Sequence, residues 1–343
     1  MKREYYILIL ALLALTACSD KPNDEPSDLV SLDLLTPVIV AESDSRARPI
    51  EGTLFPAFGS NSYNPINPDI DYNTYYSFTF FIYEEGTESP HLNNSNNALY
   101  RFRSYYNGLT GHKTYYSWPD GTPQARIGSN IVVYAYYPWS NNTKSPKAVK
   151  FSTNSQLDWM WAELTTIRDV SINNRTASME FHHAMTCIEI RLSTLYNSTI
   201  DLYNITLSDR ESKLVSSGTM DISDGSLTYT PNQSQIIISA TEKLPVHTAD
   251  NQTYRSYSFI MPEKEFSAGD LTLSFRYDGG KYGRADFTIP TTFTNSQGKS
   301  DTITKFETGK RYILNLMIDN TDLIVPLSFV KDDWVTNDVN LKI

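Results

Sequence analysis

The chain has 343 residues, enough for more than one domain with its own core, and its formal net charge is −10 with a pI of about 5.0. This acidic balance, with no basic stripe to offset it, argues against a nucleic-acid partner. The 23 tyrosines and 15 phenylalanines suit pleated, half-buried strands, and helical periodicity is hard to find. Turn dipeptides such as Asn107-Gly108 and Asp224-Gly225 recur between apolar runs, so the sequence predicts an all-β fold built from sandwich domains.

Residues 1–17 have the pattern of a signal peptide, because a basic start precedes an apolar run from Ile7 to Leu15. This run is shorter than the roughly 20 residues that a membrane-spanning helix needs. The stretch Leu15-Thr16-Ala17-Cys18 resembles the lipobox of bacterial lipoproteins, in which the thiol receives a diacylglyceryl group and becomes the first mature residue. We therefore expect Cys18 to carry lipid. The alternatives are an ordinary signal peptide with an incidental cysteine, or an uncleaved anchor.

Residues 18–31 are polar and acidic and contain two prolines, which predicts a flexible spacer between the membrane and the folded part. Acidic residues so close to Cys18 resemble signals that send lipoproteins to the outer face of the outer membrane. Only Cys187 remains once Cys18 is lipidated, so no intrachain disulfide is expected.

The segment from Leu29 to Val40 is apolar and partly alternating, and Pro37 interrupts it, so it predicts an edge strand or a broken strand. A charged loop containing Arg46 and Arg48 follows. From Tyr75 to Tyr83 apolar side chains occupy both faces, which predicts a strand inside a sandwich.

Between Ser178 and Leu192 the apolar set changes parity, which requires a β-bulge or a strand that passes from one domain to the next. We place the boundary just before this stretch. The prediction is an N-terminal β-sandwich over residues 32–169 and a C-terminal β-sandwich over residues 170–343.

The search for catalytic motifs finds no nucleophile elbow, Walker loop, zinc-protease helix or paired Cys-x-x-Cys. His182 and His183 are adjacent in a predicted strand and point to opposite faces, so we expect one core and one surface histidine rather than a metal site. Cys187 is expected to be a buried small hydrophobe rather than half of a Cys/His dyad. Asp332-Asp333 predicts a solvated turn rather than a cation site. No enzyme activity, cofactor or metal is expected.

Five short motifs follow the lipobox and the arginine loop in a recognisable order: Val132-Val-Tyr-Ala-Tyr-Tyr-Pro138, Leu157-Asp-Trp-Met-Trp-Ala162, Phe181-His-His-Ala-Met-Thr-Cys-Ile-Glu-Ile190, Phe306-Glu-Thr-Gly-Lys-Arg-Tyr312 and Asp332-Asp333-Trp334. In this order the chain resembles the fimbrillin family, the type V pilins and related minor fimbrial lipoproteins of Gram-negative anaerobes. The resemblance covers essentially the whole mature chain. It implies two tandem transthyretin-like β-sandwich domains, export as a lipoprotein, and removal of the N-terminal strand by an arginine-specific protease. A neighbouring subunit then inserts a strand into the opened groove.

On this resemblance, Leu29 to Val40 matches the removable strand, and Arg46 or Arg48 matches the protease processing site. Arg48 precedes Pro49, which is a poor residue after a cleavage site, so Arg46-Ala47 is preferred. The alternative is that these arginines belong to an ordinary charged loop that is never cut.

The chain ends with two alternating apolar sets that are candidates for strand exchange: Val325, Leu327 and Phe329, followed by Val339, Leu341 and Ile343. Each of these side chains contributes roughly 1.5–3 kcal/mol if fully buried in a neighbouring subunit. The same strands could instead complete the second domain's own sheet, and the sequence favours neither alternative.

The leading hypothesis is a structural pilus subunit at the outer membrane that supports adhesion, with other pilin subunits and the lipid on Cys18 as its contacts. The alternative is a surface lipoprotein that binds glycan or protein ligands and never polymerises. The sequence leaves open whether the subunit is a shaft, tip or anchor.

Overall fold

The structure is a computed structural model, and it describes residues 28–34, 38–39, 48–49, 76–92, 98–107, 111–117, 121–140, 143, 145–178, 180–195, 200–247, 254–279, 282–294, 300–318 and 324–333. The predicted all-β fold is confirmed. Over these ranges the regular elements are β-strands, apart from one short 3₁₀ helix at Pro146–Ala148.

Thirteen strands precede Ala184: β1 Leu29–Ser31, β2 Asp33–Leu34, β3 Val38–Ile39, β4 Arg48–Pro49, β5 Tyr76–Glu84, β6 Ala98–Asn107, β7 Gly111–Ser117, β8 Gln124–Arg126, β9 Ile131–Tyr137, β10 Val149–Ser152, β11 Met160–Ile167, β12 Thr176–Ala177 and β13 Glu180–His183. Fifteen strands follow it: β14 Thr186–Leu195, β15 Asp201–Asp209, β16 Ser217–Met220, β17 Leu227–Tyr229, β18 Gln235–Lys243, β19 Val246–His247, β20 Arg255–Met261, β21 Lys264–Glu265, β22 Leu271–Asp278, β23 Tyr282–Thr288, β24 Thr292–Thr294, β25 Ser300–Thr302, β26 Lys305–Phe306, β27 Lys310–Ile318 and β28 Ile324–Asp333.

The first half is built on one sheet of eight strands in the order β4-β3-β13-β11-β9-β5-β6-β7. Strand β5 lies inside it and buries side chains on both faces, as the apolar run from Tyr75 to Tyr83 predicts. Phe78 and Phe80 belong to a buried cluster on one face, which the short pairs β1–β8 and β2–β12 complete. Phe81 and Tyr83 point to the other face and join a second cluster.

The second half contains two sheets that face each other across a shared core. One sheet has β20 and β19 beside β14, followed by β27 and β28, and the other has the order β18-β15-β22-β23. Ile190 and Leu314 from the first sheet are buried in the same cluster as Ile205 and Phe275 from the second. Alternation along each strand thus sends one set of apolar side chains into this core.

The chain passes from the eight-stranded sheet to the second half at Ala184-Met185, between β13 and β14. This transfer explains the change of parity, because Phe181 packs in the first-half core, whereas Ile188 packs in the second-half core. The Ala184 N–H donates to the Trp159 carbonyl at 2.8 Å, which holds the crossing against the start of β11. The division into domains at residues 169 and 170 stays a prediction.

A third buried cluster lies where the two halves meet. Phe81 and Tyr136 come from the eight-stranded sheet, Phe151 and Met220 from the small sheet β10-β16-β17, and Ile260 from β20. Because this cluster is continuous and apolar, the halves are joined by packing as well as by the connecting chain.

Gly225 provides a test of the packing between the two halves. It has a φ of +74°, and a Cβ added there would overlap the indole of Trp161 in β11. We expect Gly225→Ala to lower the free energy of unfolding by more than the roughly 1–2 kcal/mol that a left-handed conformation costs an L-residue. Urea unfolding measures the difference.

Gly86→Ala is the matched control, because Gly86 has a φ of +77° and no heavy atom within 4 Å of an added Cβ. Equal losses for the two variants would show that the loop does not depend on close packing against Trp161.

Candidate functional site

The N-terminal segment, residues 28–34, forms part of the first-half core, so the predicted flexible spacer of residues 18–31 is wrong at Leu29–Ser31, which form β1. Its β1 strand pairs antiparallel with β8, and β2 pairs in parallel with β12. The side chains of Val30 and Leu32 are only 6% and 2% exposed and share a cluster with Phe78. The segment therefore fills a slot between β8 and β12 with alternate apolar side chains.

Backbone hydrogen bonds hold this segment at three points. The Ile127 N–H donates to the Asp28 carbonyl at 2.7 Å, and the Leu32 N–H donates to the Pro123 carbonyl at 2.9 Å. The Asp33 N–H donates to the Arg175 carbonyl at 3.0 Å, and the Arg175 Nε lies 3.0 Å from Asp33 Oδ2. Loss of the segment would expose apolar side chains and leave several of these backbone groups without partners.

The predicted strand from Leu29 to Val40 contains three short strands, β1 to β3, with the last one after Pro37. Arg48 lies in β4, which pairs with β3 and, among the described residues, is the last strand on that side of the eight-stranded sheet. Cys18 and Arg46 lie outside the described residues.

The C-terminal candidates Val325, Leu327 and Phe329 lie in β28, which pairs with β27 of the same chain and is the last strand of its sheet over the described ranges. The pairing shifts between Asn315 and Leu316, and Leu327 lies at this irregularity with 44% of its surface exposed. The second candidate set, Val339, Leu341 and Ile343, lies outside the described residues.

The aromatic ring of Phe329 is fixed from two sides. It stacks on Phe293 at a centroid distance of 3.7 Å and lies 6.1 Å from the ring of Tyr312. Beside it opens a cavity of about 410 Å³ that Phe293, Ile303, Phe329 and Lys331 help to line. Sequence reasoning missed Phe293 and Ile303, because they lie in or next to short strands whose apolar alternation is too brief to be recognised.

Comparison with known protein families identifies the family of this chain. The profile of the fimbrillin-like family matches residues 76–334. The chain belongs to the fimbrillin-like family. The predicted resemblance is thereby confirmed, and membership places this fimbrillin-like protein at the cell surface.

Solved structures agree with this fold. A candidate cell adhesion protein of Bacteroides ovatus is 15% identical, with a TM-score of 0.51 over 89% of this chain and 98% of that one. Another, from Bacteroides uniformis, is 12% identical, with a TM-score of 0.50 over 90% of this chain and 100% of that one. At such identities the likeness concerns the fold alone. A search of curated proteins found no match.

In this fimbrillin-like protein, His182, His183 and Cys187 pack against neighbouring side chains in the fold. His183 is buried with its Nδ1 2.9 Å from Asp158 Oδ2, while the half-buried His182 stacks on Trp161 at 4.9 Å. Cys187 is buried, and burial raises the pKa of its thiol, which keeps it in the unreactive neutral form.

The described ranges contain no cluster of three or more His, Cys, Asp or Glu placed to hold a metal ion. Nor does any helix within them have the length and apolarity that a membrane crossing requires. The predicted turn at Asp332-Asp333 is wrong, because both residues extend β28 and pair with Arg311 and Lys310 of β27.

His91 places a titratable side chain against the slot for the N-terminal segment. Its buried imidazole accepts a hydrogen bond at Nε2 from the Arg126 N–H at 3.0 Å, and its Nδ1 lies 3.5 Å from Glu84 Oε1. Burial lowers the pKa of His91, the nearby Glu84 opposes that effect, and Arg126 adds to it. A proton on Nε2 would point at the Arg126 N–H, in the strand that pairs with β1.

Because the folded pKa of His91 lies below the unfolded value of about 6.5, the unfolded chain takes up the proton first. We therefore expect the free energy of unfolding to fall as the pH drops below about 6.5. His91→Gln can keep the acceptor and removes the titration, so its stability should vary less between pH 7.5 and 5.5. Identical pH profiles in denaturant titrations would contradict this assignment.

Proposed function

We propose that this fimbrillin-like protein is a structural subunit of a cell-surface pilus, that it assembles by strand exchange, and that it supports adhesion. The observation that carries the proposal is the N-terminal segment, in which Val30 and Leu32 complete the first-half core from a short stretch of chain. It precedes Arg46 in the sequence, and Arg48 lies in β4. One cut after Arg46 separates the segment covalently while leaving its slot in the larger part.

An incoming strand would restore the backbone pairing and the buried apolar side chains that are lost when the segment is removed. It pairs with the exposed backbone groups of β8 and β12 and inserts alternate apolar side chains where Val30 and Leu32 had been. The set Val339, Leu341 and Ile343 has the same spacing of two residues. It is the preferred donor, because Phe329 of the other set already stacks on Phe293 and Tyr312 within its own chain.

Before processing, lipid on Cys18 holds the subunit at the outer membrane as a lipoprotein. In this proposal the protein has two tandem transthyretin-like β-sandwich domains, the first extending through β13 of the eight-stranded sheet and the second beginning at β14. After cleavage at Arg46, the lipid leaves together with the N-terminal segment when that segment dissociates. A subunit that is not cut stays on the cell and serves as an anchor. The role is structural, with no catalytic step.

The processing step is tested with intact cells, an arginine-specific protease, and two single variants. We expect a new N-terminus at Ala47 and ladders of multimers on gels of unheated samples. Arg46→Ala should abolish both, while Arg48→Ala, the matched control, should abolish neither. A subunit that keeps its original N-terminus and remains monomeric would favour the alternative of a surface lipoprotein that binds glycan or protein ligands.

The donor is tested by placing a charge in each candidate set. Leu341→Asp should make dissociation of multimers at least tenfold faster, since a buried leucine contributes roughly 1.5–3 kcal/mol and 1.4 kcal/mol corresponds to a factor of ten. Leu327→Asp changes a side chain that is already 44% exposed and should leave the rate unchanged. The opposite ranking would identify β28 as the donor. Dissociation is followed by the loss of ladders with time in detergent.

A further inference from the structure

Two turns at one end of the first half carry exposed isoleucines. Ile127 lies in the turn between β8 and β9, and Ile172 lies in the loop between β11 and β12. Their side chains are 48% and 69% exposed. The two loops are hydrogen-bonded to each other, because the Gly128 N–H donates to the Val170 carbonyl at 2.8 Å and the Val170 N–H donates to the Ser129 carbonyl at 2.9 Å. We call this pair of residues the isoleucine tip.

The fold does not explain the isoleucine at position 172. Ile172 occupies a tight turn that a bridge between Ser171 and Asn174 closes, and such turns favour small polar residues or glycine. With 69% exposure, its side chain adds little to the core. Apolar side chains at two adjacent turn positions instead suit a contact with something outside the chain.

The described chain also begins at this tip. The carbonyl of Asp28, the first described residue, accepts a hydrogen bond from the Ile127 N–H at 2.7 Å. Ten residues lead from Cys18 to Asp28, and they span at most about 35 Å when fully extended. A lipid on Cys18 therefore keeps the isoleucine tip within that distance of the bilayer.

The second half lies toward the other end of the same strands. Ile131 and Ile167 pair at the tip end of β9 and β11, and Tyr137 pairs with Met160 at the opposite end, about 20 Å away along seven residues. At that opposite end the chain crosses into the second half through Ala184. A membrane at the tip would thus leave the second half on the outer side.

Charges around the tip are mostly paired. Arg168 is exposed, and its Nε donates to Glu85 Oε1 at 3.0 Å, while Arg126 lies 4.0 Å from Glu84 Oε1. A surface of this kind is suited to shallow insertion of apolar side chains and not to electrostatic attraction to anionic headgroups.

We propose that the isoleucine tip contacts the lipid bilayer that holds the anchor, with Ile127 and Ile172 inserted at the level of the headgroups. This inference rests on the proposed lipidation of Cys18. The anchor supplies attachment, and the tip supplies orientation, because a second point of contact restricts rotation of the subunit about its spacer. The second half, with the edge strand β28, then points away from the membrane toward the next subunit.

The test uses the full-length lipidated protein in vesicles of phosphatidylethanolamine and phosphatidylglycerol. Ile127→Cys and Ile172→Cys are each labelled with a polarity-sensitive fluorophore, and Ile237→Cys is the matched control because Ile237 is 52% exposed on β18 in the second half. Cys187 is buried and does not compete for the label. Nitroxide-labelled lipids should quench the two tip labels at least threefold more strongly than the control label.

Equal quenching at all three positions, on protein that floats with the vesicles, would overturn the tip contact and leave the lipidation intact. A disulfide-linked dimer formed through Ile172→Cys would also overturn it, because the tip would then contact a second copy. Flotation of the unsubstituted protein, compared with that of Cys18→Ala, separately tests the premise that Cys18 carries lipid. Protein that does not float, with or without that substitution, carries no lipid, and the proposal fails together with the lipoprotein assignment.

Discussion

Burial of Val30 and Leu32 between β8 and β12 is the contact on which the proposed assembly depends. These side chains belong to the core of the first half, yet they reach it from a short segment near the start of the described chain. The proposed cut after Arg46 would change no contact at once, because the hydrogen bonds from Ile127, Leu32 and Asp33 would still hold the segment. In the proposed assembly the groove would therefore open only as fast as the segment dissociates, and an incoming strand would compete with it for the slot.

The second half differs from the first in that its candidate site for strand addition is a sheet edge, formed by β28. Strand β28 ends its sheet over the described ranges, and an unpaired edge is a template for association. Pro326 within β28 and the irregular pairing at Leu316 both weaken this edge as an uncontrolled template. The side chain of Phe329 meanwhile stays between Phe293 and Tyr312. These features disfavour nonspecific pairing at the β28 edge, whereas the proposed groove of the first half would provide a specific site.

Local patterns predicted the fold well, and contacts between distant residues limited the prediction of the site. Apolar side chains on both faces of β5 and the parity change near Ala184 are properties of single strands, so the sequence displays them directly. The hydrogen bond from Arg126 to His91 joins residues 35 positions apart, and no local signal marks it. The prediction of a turn at Asp332-Asp333 was wrong for the same reason, since pairing with the distant strand β27 keeps both aspartates in a strand.

The same few residues connect the proposed groove and the proposed membrane contact. Ile127 follows β8 directly, and its N–H is bonded to Asp28, so the isoleucine tip and the slot for the segment share one strand and one hydrogen bond. Removal of the N-terminal segment would therefore end three things together: the covalent link to the lipid, the hydrogen bond at Ile127, and the pairing of β8 with β1. In the proposed mechanism, a subunit that loses its anchor also loses the support of its tip. One cut would then lead both to release from the membrane and to readiness for the next strand.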